Sequence, residues 1–195
     1  YARKSTARRV GSIAAIAPRA VVASGRTYGT YIEAHRAARV DGLNALSGLG
    51  DRLGFVGPGA HRADAQEIVE RDGAIVSEFH SLQGMQGTNF LRRNRIIAGL
   101  SSGTVVVESA FKGGSLSTAA CAAGYYRDVL AVPGRVGDPM SEGTNRLIRS
   151  NRAAMVLKAD DILEHLNWEG VEPSSVPDAA QAELFAPRLE GDEEK

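Results

Sequence analysis

Short apolar runs that alternate with stretches of helical spacing constrain this 195-residue chain more than any other feature. The runs fall at residues 20–23, 74–77, 104–107, 129–132 and 154–157, flanked mostly by Gly, Pro, Asp or Arg. A strand that is apolar throughout is one covered on both faces, as in a parallel sheet clothed by helices. Helical stretches separate them at 30–39, 61–71, 93–100, 115–124 and 143–150, with a last short one at 160–168. Within 61–71, Ala65, Ile68 and Val69 share one face, with Glu67, Glu70 and Arg71 outward. Strand–helix alternation predicts an α/β fold, a doubly wound and mostly parallel sheet with helices on both faces and right-handed crossovers. Ligands of such sheets sit outside the carboxyl ends of the strands.

Composition sets the remaining bounds. Hydrophobic residues make up 43% and charged ones 24%, which excludes wholesale disorder. The single cysteine, Cys121, rules out a disulfide framework and a cysteine metal cluster, so a reducing cytoplasm is the expected compartment. No apolar run is long enough to span a membrane, and no basic-then-apolar leader opens the sequence. Because the first residue is Tyr1 rather than Met, a fragment or processed product is expected. Residues 1–168 read as one domain. Residues 169–195 read as an acidic, Pro- and Ala-rich linker or the start of a C-terminal domain. The formal net charge is zero, but residues 169–195 carry eight acids and two bases. Residues 1–168 therefore hold 21 bases and 15 acids, a net of +6. A basic body suits a polyanionic partner, although many basic domains bind nothing anionic.

The residues with chemical content concentrate in 89–118. Arg92, Arg93, Asn94 and Arg95 stand together at the expected start of the 93–100 helix. Exposed N–H groups already make a helix start positive, so arginines there favour bound phosphate over helix stability. A surface salt-bridge cluster is the alternative. Lys112, Gly113, Gly114 and Ser115 lie between the 104–107 strand and the next helix, where glycines let backbone amides approach an anion. The same residues also suit a simple turn with Ser115 as cap. Phe90 beside the arginines offers either a stacking surface for an unpaired base or a core contact with Ile96 and Ile97.

Catalytic signatures are poor. There is no Walker loop and no G-x-G-x-x-G fingerprint, and Ser24-Gly25 is no nucleophile elbow. His35, His61, His80 and His165 form no metal-binding pair. Glu78 and Glu108 follow strands, and Glu108 is expected to pair with an arginine such as Arg95 and orient it.

At these residues the sequence resembles the DNA-processing protein A (DprA/Smf) family. The match runs from about Val21 to Trp168. The family's S-E-x and F-x-R-R-N-R-I-I-A-G-L-S stand at 77–79 and 90–101, and its V-V-V-E-A with S-G-S-L-x-T-A at 105–109 and 113–119. A-V-P-G and G-x-N-x-L-I stand at 131–134 and 143–148. The resemblance implies an extended Rossmann-like domain that uses no cofactor and is not an enzyme. It also implies single-stranded DNA held in a basic pocket, loading of the RecA recombinase in natural transformation, and homodimers. Carried over, the DNA pocket comprises Phe90, Arg92, Arg93, Asn94, Arg95, Lys112, Gly113, Gly114 and Ser115, which share one cationic crevice.

Departures from the pattern are local. The early G-[ST]-R turn belongs just before Tyr1. The S-G-x-A-x-G-I-D motif survives as Ser24, Gly25 and Gly29, with Thr30-Tyr31 in place of Ile-Asp, while Ala34-His35-Arg36 matches. The G-L-D-x-x-Y-P segment is blurred within 48–58. Set against the family, the sequence is expected to lack the N-terminal helical domain, with the C-terminal winged helix expected to be absent or just begun at Gln181. A second function class is a nucleotide-hydrolysing enzyme of the related phosphoribohydrolase-like group. Its P-G-G-x-G-T-x-x-E is not met, because Arg135 follows Pro133-Gly134 and Glu108 stands at another spacing.

Overall fold

The computed structural model describes residues 2–25, 30–53, 62–80, 82 and 86–168. The first half runs α1 (Ala2–Ile16), β1 (Val21–Gly25), α2 (Thr30–Val40), β2 (Asn44–Gly48), α3 (Arg62–Glu70) and β3 (Ala74–Val76). The second runs α4 (Gly87–Leu100), β4 (Gly103–Val106), α5 (Gly114–Gly124), β5 (Asp128–Ala131), α6 (Glu142–Arg149), β6 (Ala154–Met155) and α7 (Ala159–His165). The strands pair in the orders β1-β2-β3 and β4-β5-β6, with every pairing parallel. This is the expected α/β alternation with a parallel sheet. The proposed linker 169–195 lies outside the described residues.

Apolar runs become strands here because both of their faces are covered. Val129 and Ala131 of β5 point to one side, where they pack with Ala98 of α4, Ala119 and Ala122 of α5 and Leu147 of α6. Leu130 and Val132 point to the other, into a cluster with Val156, Ile162 of α7 and Ile13 of α1. Ile13 also packs against the first-half cluster of Val10, Ala14, Ala37, Ala38 and Leu43. One helix, α1, therefore seals the same side of both halves. The Arg9 guanidinium adds a tie by donating to the Leu157 carbonyl at 2.9 Å.

Two elements were not anticipated. β2 reads Asn-Ala-Leu-Ser-Gly, with too few branched residues to announce a strand. α1 buries Thr6, Val10 and Ala14, a four-residue period carried by small side chains among arginines. The α3 face also needs correction. Ala65 and Ile68 are buried, but Val69 is 56% exposed and the buried neighbour is Asp64. Both Asp64 oxygens accept from Arg36 of α2, at 3.1 Å each. The hydrogen bond to Asp64 is the main cause holding the Arg36 guanidinium above its ordinary pKa. Arg39 pairs with Glu67 on the same helix pair. The α2–α3 contact thus carries ion pairs, and Glu67, expected to face outward, is one of the partners.

Leu130 is fully buried between helices on the α1/α7 side. Leu130→Ala is expected to lower the unfolding free energy by about 2–5 kcal/mol, read from urea denaturation followed by circular dichroism.

Candidate nucleic-acid interface

The carboxyl ends of the strands carry the candidate site, and α4 is the element that organises it. The helix begins at Gly87 rather than Arg93, so the arginines lie in its middle turns and not at its start. The electrostatic argument that placed a phosphate at that start therefore does not apply. With helical spacing, Arg93, Asn94, Ile97 and Ala98 turn inward, while Arg92 and Arg95 turn outward.

The three guanidiniums consequently do not share one crevice. Arg93 is only 3% exposed; its Nη1 donates to the Gly48 carbonyl at 2.6 Å and its Nε to Asn94 Oδ1 at 3.2 Å. A Cβ at Gly25 would lie 2.7 Å from Arg93 Nη2, and one at Gly48 would lie 2.9 Å from Arg93 Cδ. The cation thus occupies space that two glycines leave open at the ends of β1 and β2. Arg92 is exposed and lies over the ring of buried Phe79, 5.7 Å from its centroid. Arg95 pairs with Glu78, not with Glu108 as expected. Hydrogen bonding to Glu78 is the main cause raising the Arg95 pKa.

Asn94 joins this region to the glycine turn. Its Nδ2 donates to the Gly114 carbonyl at 3.4 Å, so a bonded chain runs from Gly48 through Arg93 and Asn94 to Gly114. Gly113 is the N-cap of α5, Gly114 its first residue, and the first turn holds no acid. Ser115 does not cap the helix; its hydroxyl donates back to the Glu108 carbonyl at 3.3 Å. Lys112 is exposed and has no ion-pair partner among the described residues. Phe90 is half-buried, with its ring against Gly50, where a Cβ would lie 2.7 Å from Phe90 Cδ1. From α4 it packs against the loop that leaves β2 and is not a neighbour-free platform.

Two residues that the sequence reading passed over stand at the same edge. Phe111 is 51% exposed, and the Arg146 guanidinium lies over its ring at 4.2 Å from the centroid. The adjacency of Phe111 to Lys112 was the available sequence signal. Their loop is held tightly. Ser109 N–H donates to the Met140 carbonyl at 2.9 Å, and Gly143 N–H donates to the Ser109 carbonyl at 2.8 Å. A Cβ at Gly143 would lie 2.6 Å from the Ala110 carbonyl oxygen.

Fold and edge together define a Rossmann-like α/β domain with cations at the carboxyl ends of its strands. Residues 2–167 match the family model described as DNA recombination-mediator protein A, and the chain belongs to that family. The match begins well before Val21 and takes in α1. The chain is 41% identical over 167 residues to Protein Smf of Escherichia coli (strain K12), covering 85% of this chain and 43% of that one. It is 33% identical over 148 residues to the DNA processing protein DprA of Streptococcus pneumoniae, covering 76% and 52% respectively. The chain thus spans about half the length of these curated relatives. The X-ray structure of DprA from Streptococcus pneumoniae superposes with a TM-score of 0.74 at 30% identity, over 84% of this chain and 56% of that one. DNA processing protein A from Helicobacter pylori, solved in a study of its single-stranded DNA binding mode, gives 0.73 at 27% identity, over 86% and 74%.

Because Arg93 is internal and Arg92 external, their alanine variants should separate. Arg93→Ala is expected to destabilise the fold by about 2–4 kcal/mol through a cavity and an unpaired Gly48 carbonyl. Arg92→Ala is expected to stay within about 0.5 kcal/mol of the parent. Urea melts of the two variants compared with the parent check both.

Proposed function

We propose that this domain binds single-stranded DNA along the carboxyl edge of its strands, by charge and stacking and without covalent chemistry. The observation that carries the reading is Lys112. It is exposed and without an ion pair among the described residues, beside a start of α5 that has no side-chain cap bond and no acid, on a turn that Asn94 fastens to α4. Such a turn offers phosphate oxygens both a cation and backbone N–H groups. Lys112, Gly113, Gly114 and Ser115 are assigned to the sugar–phosphate chain, with Arg92 as a second cation. Arg93 and Asn94 support these groups from beneath, and Arg95 is held by Glu78. Membership of a recombination-mediator family and likeness to a protein studied for its single-stranded DNA binding favour the same ligand.

We assign this domain to recombination of DNA taken up in natural transformation, protecting the incoming strand as a homodimer and loading RecA onto it in the cytoplasm. No helix among the described residues is long and apolar enough to cross a membrane.

Fluorescence anisotropy with oligo-dT at two salt concentrations, beside a duplex of equal length, tests the reading. Binding should favour the single strand and weaken steeply with salt as neutralised phosphates release counterions. Lys112→Ala should weaken all sequences alike and lower the log–log salt slope by about 1. Equal binding of duplex and single strand, or a Lys112→Ala variant indistinguishable from the parent, would overturn it.

A further inference from the structure

We propose that Phe111, backed by Arg146, is the platform on which this edge stacks an unpaired nucleobase, in the role the sequence reading gave to Phe90. The proposal rests on the single-stranded DNA reading above and names the base-contacting group of that site.

Three phenylalanines stand near the carboxyl edge among the described residues. Phe79 is 6% exposed and lies beneath Arg92. Phe90 is half-buried, with its ring pressed on the Gly50 backbone. Phe111 alone of the three leaves half its surface open, and it is the immediate neighbour of Lys112. A polynucleotide presents phosphate and base alternately, so an aromatic ring one residue from a phosphate-directed lysine meets both parts of one nucleotide.

Exposing an aromatic ring to water costs free energy unless a ligand covers it or the ring is held for another purpose. Here the ring is held. Arg146 of α6 covers one face at 4.2 Å and makes no ion pair with a carboxylate among the described residues. Its charge therefore remains available to the phosphate beside a stacked base. The loop under the ring is fixed from both sides, by the Ser109 bonds to Met140 and Gly143 and by the Ser115 bond to Glu108. Gly143 has no room for a side chain against Ala110, and a Cβ at Gly113 would lie 2.1 Å from Ser109 Oγ. A ring presented by so constrained a loop loses little conformational freedom when a base docks on it.

The test measures affinity of the full chain for oligo-dT and for an oligonucleotide of the same length made of abasic sugar–phosphate units. Phe111→Ala should weaken oligo-dT binding by about 5- to 100-fold, the range of one lost base–aromatic stack. It should leave binding of the abasic strand within about twofold, whereas Lys112→Ala weakens both. Phe111→Trp should restore oligo-dT affinity, and its added fluorescence should be quenched by oligo-dT and not by the abasic strand. Thermal melts of Phe111→Ala, expected to match the parent, exclude a folding defect. If the parent binds oligo-dT with the expected salt dependence and Phe111→Ala binds it equally well, the platform is overturned and the DNA reading stands. If the parent binds no oligo-dT, both fall together.

Discussion

A buried guanidinium sets the geometry on which the rest of the carboxyl edge depends. Taking an arginine side chain out of water is costly unless its N–H groups find acceptors. Arg93 finds one at the end of β2, on the Gly48 carbonyl, and another on Asn94, which itself reaches the Gly114 carbonyl at the start of α5. The chain Gly48–Arg93–Asn94–Gly114 therefore crosses from the first half of the fold to the second. Glycine at positions 25 and 48 follows from the same constraint, since a methyl group at either would collide with the arginine. Once Arg93 and Asn94 point inward, helical geometry leaves Arg92 and Arg95 no option but the outer face.

The two halves are braced on opposite sides by helices of very different character. On one side α1 contributes Ile13 to both apolar clusters and Arg9 to the Leu157 carbonyl, so the bracing is mainly hydrophobic. On the other, α4 combines the polar chain through Arg93 with apolar packing of Ala98 against β4 and α5. Hydrogen bonds to a buried charge are directional, and apolar burial is not. The polar side fixes the angle at which the edge loops are presented, while the apolar side supplies much of the adhesion.

How far the sequence discloses this structure depends on which forces shape each element. β4 and β5 are legible because both faces of each pack against apolar clusters, fully for most of β5 and partly for β4, which writes a continuous apolar run. β2 is not, because exposed Asn44 breaks the apolar run and buried Ser47 and Gly48 serve close packing and the Arg93 contact rather than hydrophobic burial. α1 is hidden because Thr6 and Ala14 fill an interface that needs small residues. Val69 misleads because the α2–α3 contact is made by Asp64 with Arg36, and periodicity counts only apolar side chains. The Lys112–Ser115 turn is placed correctly by its glycines, yet its cap is Gly113 and not Ser115. The largest misjudgement concerns the arginines. Gly87, Thr88 and Asn89 read as loop but form the first turn of α4, and that shift converts an apparent electrostatic anomaly into an internal brace.

That conversion redistributes roles across the edge in a way that charge alone does not reveal. Pairing with Glu78 partly neutralises Arg95, and burial withdraws Arg93 from solvent. Among the described residues, the cations near Phe111 and on α4 that make no ion pair include Lys112 on the β4–α5 turn, Arg146 on α6 and Arg92 on α4. A cation that is already paired must break its own bond before it meets a phosphate, so an unpaired one gains more from the same contact. The density of arginine in the sequence therefore marks where the edge is built, and under the proposed function the sparser bases beside Phe111 are the groups assigned to the polyanion. Separating the two groups lets the supporting chain be buried and hydrogen-bonded while the outward cations stay hydrated. An arrangement with all three arginines on the surface would place like charges side by side and leave the ends of β1 and β2 without the donor that now closes them.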